Sequence, residues 1–195
     1  MSMTALDLFT LRYDVVHGEF LDELFAGLTD AQLRQRPQGV NPIVWLVWHA
    51  ARVQDAAVSR FVADRPQVLD EGGWNPRLGL DRRDVGTGMT GGEVEALSRD
   101  LDVAALRGYH RAVADRTMAI AAALPPAAWS EVVPAERVRR VAAADGLLVE
   151  AGKWVEDFWA TGRTRGWYLL QVGLLHPYGH WFEAMVTRGL LAPGP

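Results

Sequence analysis

Apolar residues recur every three or four positions in the first segment of the chain. This period matches the turn of an α-helix and gives the segment a single apolar face. The pattern predicts an amphipathic helix, which Gly27 and the pair Thr29-Asp30 should end. The predicted apolar face consists of Leu6, Phe9, Tyr13, Val16, Phe20 and Leu24.

The same period predicts three more long helices, over about 42–63, 102–124 and 164–190. Asn41-Pro42 is a start signal, with the asparagine as N-cap and the proline at the first helical position. Gly189 and the tail 192–195 should close the last helix. A brief strand is conceivable at 147–150, but it would have no partner. We therefore predict an all-α fold, a four-helix bundle with short extra helices.

Residues 65–91 are predicted to be a long irregular loop, because proline and glycine interrupt this stretch repeatedly. A loop of this length within a compact domain is usually functional or disordered. Thr90 and Glu93 form a capping-box pattern that should open a short helix after the loop. Further short helices are predicted at about 31–35, 135–144 and 153–161.

Length and composition predict one domain spanning 1–195, because 49% hydrophobic and 23% charged residues are ordinary for a globular chain. No apolar run reaches the roughly 18 residues of a membrane span. The N-terminus lacks the pattern of a signal peptide, so we expect a cytoplasmic protein. The net charge of −4 argues against nucleic acid as a partner.

The chain contains no cysteine. Disulfides, thiolate metal ligands and a cysteine nucleophile are therefore excluded. Any metal site must use histidine, carboxylate or water, and any thiol chemistry must take its sulfur from a small molecule.

His176 and His180 lie four residues apart in the last predicted helix, which places both imidazoles on one face. That face continues through Leu169, Val172 and Glu183, so the pair should point inward. The pair differs from the zinc-protease motif because no glutamate follows the first histidine.

His49 lies on the buried side of the second long helix, and it can be either a hydrogen-bonded core residue or a third ligand. Three neutral imidazoles in a dry shell suit zinc, nickel or iron(II) and leave one coordination position open. The shell around the three histidines is apolar and aromatic, with Trp45, Trp48, Tyr178 and Trp181 nearby in sequence.

Pro177 lies between these two histidines and predicts a local bend. Proline removes a helical hydrogen bond and crowds the carbonyl four residues earlier, which here belongs to Gly173. A bend at this point would aim His176 differently from a residue of a regular helix.

Five other residues are weaker candidates. Glu183 could orient a ligand, act as an acid/base group or be a solvated carboxylate. His17 could reach the site from the first helix but more readily has a structural role, and His110 is predicted to lie on the surface. Arg52 and Asp55 are predicted to be groups at the rim of a cavity.

Two motifs resemble the DinB-like superfamily and the related mycothiol-dependent maleylpyruvate isomerases and thiol S-transferases. They are NPIVWLVWHAARVQD at 41–55 and LLHPYGHWFEAMVTRGLL at 174–191. The resemblance implies a four-helix bundle that is often a homodimer. It also implies a divalent metal bound by His49, His176 and His180.

Three functions follow as hypotheses for a protein with a small-molecule substrate. In the leading one, the metal activates mycothiol or another low-molecular-weight thiol for a transferase or isomerase reaction. In the second, the open position holds hydroxide, Glu183 moves protons and the protein is a metal-dependent hydrolase. In the third, the protein is non-catalytic and binds a ligand or a partner in a stress response.

Overall fold

The computed structural model describes residues 3–191, which form ten helices and no β-strand. In the first half of the chain these are α1 (Ala5–Asp14, the π-helical turn Val15–Glu19 and Phe20–Phe25), α2 (Asp30–Leu33), α3 (Ile43–Gln54 and the π-helical segment Asp55–Val62), α4 (Val68–Glu71) and α5 (Trp74–Leu78). In the second half they are α6 (Gly91–Asp100), α7 (Val103–Ala123), α8 (Ala135–Ala144), α9 (Trp154–Trp159) and α10 (Arg165–Leu170, the π-helical turn Gln171–Leu175 and His176–Leu190). The predicted all-α fold is confirmed.

The four long helices α1, α3, α7 and α10 pack into a bundle. α3 packs against α7 and α10, and α1 packs against the same two helices from the other side. Every residue of α3 from Ile43 to Gln54 is buried, because α6 and the segment after α3 cover the remaining faces. A helix in this position is apolar almost all round, and His49 is one of its few polar residues.

The predicted helix boundaries agree with the structure to within a few residues, with one informative difference. The second long helix begins at Ile43 with Pro42 as its N-cap, so the prediction of Asn41 as the cap was wrong by one residue. Segment 147–150 is not a strand. The one isolated β-bridge among residues 3–191 joins Val132 and Thr164 instead.

The stretch 65–91 is irregular except for α4 and α5. The predicted capping box at its end is confirmed, with reciprocal hydrogen bonds between Thr90 and Glu93. Residues 192–195, which were predicted to close the last helix, lie outside the described residues. Gly189 lies inside α10, which continues to Leu190.

Arg52 and Asp55 do not line a cavity rim, contrary to the prediction. Both side chains are fully buried and form an ion pair with an N···O distance of 3.5 Å. Asp55 also accepts hydrogen bonds from the backbone N–H groups of Val68 and Leu69, at 2.8 and 2.9 Å, and so holds the start of α4 against α3. The segment after α3 folds back over this face, which the helical period alone could not show.

Within residues 3–191, no helix combines the length and apolar character that a membrane crossing requires.

Candidate metal centre

The three predicted histidines converge between α3 and α10. The centroid of the His49 ring lies 5.0 Å from that of His176 and 4.9 Å from that of His180. The centroids of the His176 and His180 rings are 4.5 Å apart. One nitrogen of each ring lies within 4.8 Å of one nitrogen of the other two. Among the described residues this is the one group of three potential ligands that could hold a metal ion.

His49 is held by a backbone carbonyl and an indole. Its Nδ1 lies 2.5 Å from the carbonyl oxygen of Val85. A carbonyl can only accept, so Nδ1–H donates and Nε2 keeps its lone pair for a ligand role. Trp45 stacks on the ring at 4.9 Å, with 6° between the planes. Burial lowers the pKa of His49 to about 4, which keeps the imidazole neutral.

The turn Asp84–Val85–Gly86 aims the carbonyl at His49. The Asp84 carboxylate accepts the N–H of Gly86 at 2.8 Å, and the N–H of Val85 donates to Leu147 at 3.0 Å. Gly86 has a φ of 85°, and a Cβ there would lie 2.5 Å from the Trp48 ring. Only glycine adopts this positive φ readily and also has no side chain to clash with Trp48.

His180 is oriented by a carboxylate one turn later on the same helix. Its Nδ1–H donates to Glu183 at 2.9 Å, and the other Glu183 oxygen accepts from the Asn41 amide, also at 2.9 Å. The bond from His180 is the main cause of the lowered pKa of Glu183, and the bond from Asn41 adds to it. With Nδ1 bonded to Glu183, the His180 ring turns Nε2 toward the cluster, 3.1 Å from Nε2 of His176.

His176 completes the cluster and lacks a structural partner at one nitrogen. Its Nε2 lies 3.1 Å from Nε2 of His180, and two histidine ligands on a tetrahedral zinc ion would be separated by about 3.3 Å. Its Nδ1 is buried without a hydrogen-bond partner among the described residues, a condition that calls for a water or an ion nearby. Burial lowers the pKa of His176 well below its usual value. The donor set therefore fits a divalent metal ion.

Near Pro177, where a bend was predicted, the structure has a π-helical turn at Gln171–Leu175, directly before His176. Pro177 has no N–H to donate to the Gly173 carbonyl. His17 of α1 lies 2.7 Å from this oxygen through Nε2 and donates to it. His17 therefore ties α1 to α10 and does not join the cluster of ligands.

His110 is buried, with 3% of its surface exposed, so the prediction of a surface position was wrong. Its Nε2 lies 3.0 Å from Nδ1 of His17. Since Nε2–H of His17 donates to Gly173, Nδ1 of His17 accepts and Nε2–H of His110 donates. α7 is rich in alanine, so its apolar face is weakly marked in the sequence, and His110 lies on that face beside Leu106 and Val113.

Asn41 and the Val85 carbonyl belong to the site and were not predicted. Asn41 showed a helix-start signal, but its side chain reaches across to α10. Val85 contributes only its backbone, for which the sequence carries no signal beyond the length of the 65–91 stretch.

Comparisons with known proteins agree with this architecture. A sequence model of the DinB superfamily matches residues 17–152, a span that includes His49 and ends before His176 and His180. A crystal structure of a conserved protein from Enterococcus faecalis is similar to this chain, with a TM-score of 0.72 and 20% identity. The match covers 97% of this chain and 98% of that one, and at this identity it establishes the fold alone. No curated protein matches the chain.

Proposed function

Because the chain belongs to the DinB superfamily, we propose that it is a metalloenzyme that uses a low-molecular-weight thiol in a transferase or isomerase reaction. In this proposal His49, His176 and His180 bind a zinc, nickel or iron(II) ion. The observation that carries the proposal is the convergence of three imidazoles whose outer nitrogens are held or buried and whose ligand nitrogens lie within 4.8 Å of one another.

A divalent ion on three neutral imidazoles supplies Lewis acidity and lowers the pKa of a coordinated thiol or water. Burial lowers the pKa of His49 and His176 and so keeps these two rings neutral, while neighbouring groups orient the imidazoles. Val85 and Trp45 hold His49, while Glu183 holds His180. Such outer partners set which nitrogen of each ring is available.

In this proposal Glu183 orients His180 and does not carry protons. Both of its carboxylate oxygens accept hydrogen bonds, from His180 and Asn41. These bonds favour the charged form, as the lowered pKa of Glu183 indicates. A general base must also lie within reach of the reacting group, and Glu183 does not line the pocket that contacts His49 and His176. The contacts thus support the thiol reaction over hydrolysis with Glu183 as the base.

The thiol is mycothiol or a related small thiol, and the protein works in the cytoplasm, where such thiols are kept reduced. The chain has no cysteine of its own, which is consistent with a sulfur nucleophile supplied by a cosubstrate.

The protein is further proposed to be a homodimer. Large apolar side chains are exposed along neighbouring faces of α1 and α10, and burial against a second copy would remove them from water. We call this surface the α1/α10 face; it comprises Leu8, Leu11, Val15, Leu175, Tyr178, Phe182 and Val186.

A thiol-dependence assay tests the proposed reaction. Purified protein is loaded with zinc, nickel or iron(II) and mixed with monochlorobimane and mycothiol, bacillithiol or glutathione. We expect S-conjugation with at least one thiol, lost on chelation and restored by metal. Hydrolysis of ester substrates without thiol would support the hydrolase instead. Metal binding without any turnover would support a non-catalytic role.

A further inference from the structure

A pocket of about 260 Å³ adjoins the candidate metal centre. His49 and His176 form one end of it, while His180 does not line it. On the His180 side of the cluster, Glu183 bonds His180 and Asn41, and none of these three residues lines the pocket. The pocket therefore reaches the cluster at His49 and His176.

The walls of the pocket are apolar and aromatic. Val53 of α3 and Val172 of α10 form its inner part, and Trp154 and Phe158 of α9 form its outer part. The other side chains in the lining that can form hydrogen bonds are uncharged: Thr87, Gln171 and the indole N–H groups of Trp154 and Trp159. Among the described residues that line it, none is an acid, an arginine or a lysine.

This lining discriminates by charge. In the metal-free protein, a carboxylate or phosphate group entering the pocket would lose part of its hydration and find no lysine or arginine in return. An uncharged ring or branched aliphatic group would instead exchange water for apolar contacts. A dry apolar cavity of about 150 Å³ already accepts benzene, so this pocket has room for a substituted ring.

Two aromatic residues at the mouth are uncovered. Trp154 is 65% exposed and Phe158 is 40% exposed, on a helix of six residues. Tryptophan is usually well buried, so an exposed indole beside an apolar pocket indicates a surface that a ligand covers.

The loop at Thr87 is held rigidly at the edge of the pocket. A Cβ on Gly152 would lie 2.4 Å from the Thr87 carbonyl oxygen, so the two backbones pack against each other directly. This close backbone contact fixes the position of Thr87, which lines the pocket.

We propose that this pocket binds an uncharged aromatic or branched aliphatic group of the substrate next to the metal. The position of this group relative to the reacting centre rests on the proposed function. Affinity for the apolar group itself does not, because the pocket walls are present without a metal.

The first experiment uses metal-free protein, and compares indole with indole-3-carboxylate by calorimetry and ligand-observed NMR. We expect indole to bind and the carboxylate to bind at least about tenfold more weakly. Phe158→Ala should weaken indole binding several-fold, whereas Phe182→Ala, which removes an exposed ring away from the pocket, should not. Equal binding of both probes, no binding of indole, or equal effects of the two variants would overturn the proposal.

The second experiment loads the protein with cobalt(II), whose visible spectrum reports on its ligands, and compares imidazole with 4-phenylimidazole. We expect both to change the spectrum and the phenyl derivative to bind about tenfold more tightly, an advantage that Phe158→Ala reduces. Equal affinities would overturn the placement of the pocket beside the metal. Failure to take up cobalt would overturn the metal centre instead, and the indole result would separate the two failures.

Discussion

Glu183 accepts a hydrogen bond from Nδ1 of His180 at 2.9 Å, across one turn of α10. The carboxylate also accepts from Asn41, which precedes α3, so one side chain joins the two helices that carry the three histidines. This relationship makes Glu183 the residue whose replacement best separates orientation of a ligand from proton transfer.

Glu183→Gln is expected to lower metal affinity about 10- to 100-fold, because the charged partner of a ligating histidine is lost. Competition with a chromogenic chelator measures this affinity. Asn41→Ala should have a smaller effect in the same direction, since it leaves the carboxylate on His180. If Glu183→Gln kept full metal affinity and yet abolished turnover, Glu183 would act as the acid/base group and not as the residue that orients His180.

The stability of the protein should fall between pH 7 and pH 5, in part through His17. Burial lowers the folded-state pKa of His17 to about 4, against about 6.5 when it is unfolded. The unfolded chain therefore takes up a proton first as the pH falls. The stabilisation is present above pH 6.5 and is lost toward pH 4. At pH 5 the loss is about 1–2 kcal/mol, given that the ring is partly exposed.

Urea unfolding of the wild type and of His17→Gln at both pH values measures this contribution. Glutamine can donate to Gly173 and accept from His110, but it does not titrate. The stability of His17→Gln should therefore change less with pH than that of the wild type. If the free energy of unfolding changed equally with pH in both proteins, the attribution of this pH dependence to His17 would be wrong. His110 has a lowered pKa for the same reason and retains its own contribution in both proteins. The other charged or titratable groups around the pair are Tyr13, Asp14, Asp22, Arg107, Arg111 and Asp115.

The α1/α10 face should mediate self-association. Phe182, one of its residues, is 51% exposed, and Phe182→Glu would place a charge in the buried interface of a dimer. Light scattering coupled to size exclusion is expected to show a dimer for the wild type and a monomer for the variant. Val132→Glu, at an exposed apolar site outside this face, should remain dimeric. A monomeric wild type would refute the homodimer.

The sequence predicted the ligands because helical spacing places His176 and His180 on one face and His49 on a buried one. It did not predict the contacts that hold them. Asn41 meets Glu183 across 142 positions of the chain, and Val85 acts through its carbonyl alone. Contacts of this kind depend on how the helices pack and leave no local pattern.

The sequence predicted burial less well for residues on helices whose apolar face is weakly marked or is covered by a distant segment. His110 was assigned to the surface from its neighbours Tyr109 and Arg111, and the apolar period of α7, which alanine dilutes, did not mark its buried face. Arg52 and Asp55 are charged and so were assigned to a rim, although a segment folded over α3 buries both. Pro177 indicated an irregularity near His176, and the structure has a π-helical turn there. The carbonyl of Gly173 in this turn is bonded to His17 of α1, a contact that the sequence could not show.

Metal analysis of purified protein tests the central claim most directly. The wild type and the variants His49→Ala, His176→Ala and His180→Ala are reconstituted with zinc, nickel or iron(II), dialysed and measured by mass spectrometry, with His17→Gln as a folded histidine control. We predict about one ion per chain in the wild type and the control, and a loss of most of it in each of the three alanine variants. A wild type that retains no metal, or alanine variants that retain as much as the wild type, would contradict the account.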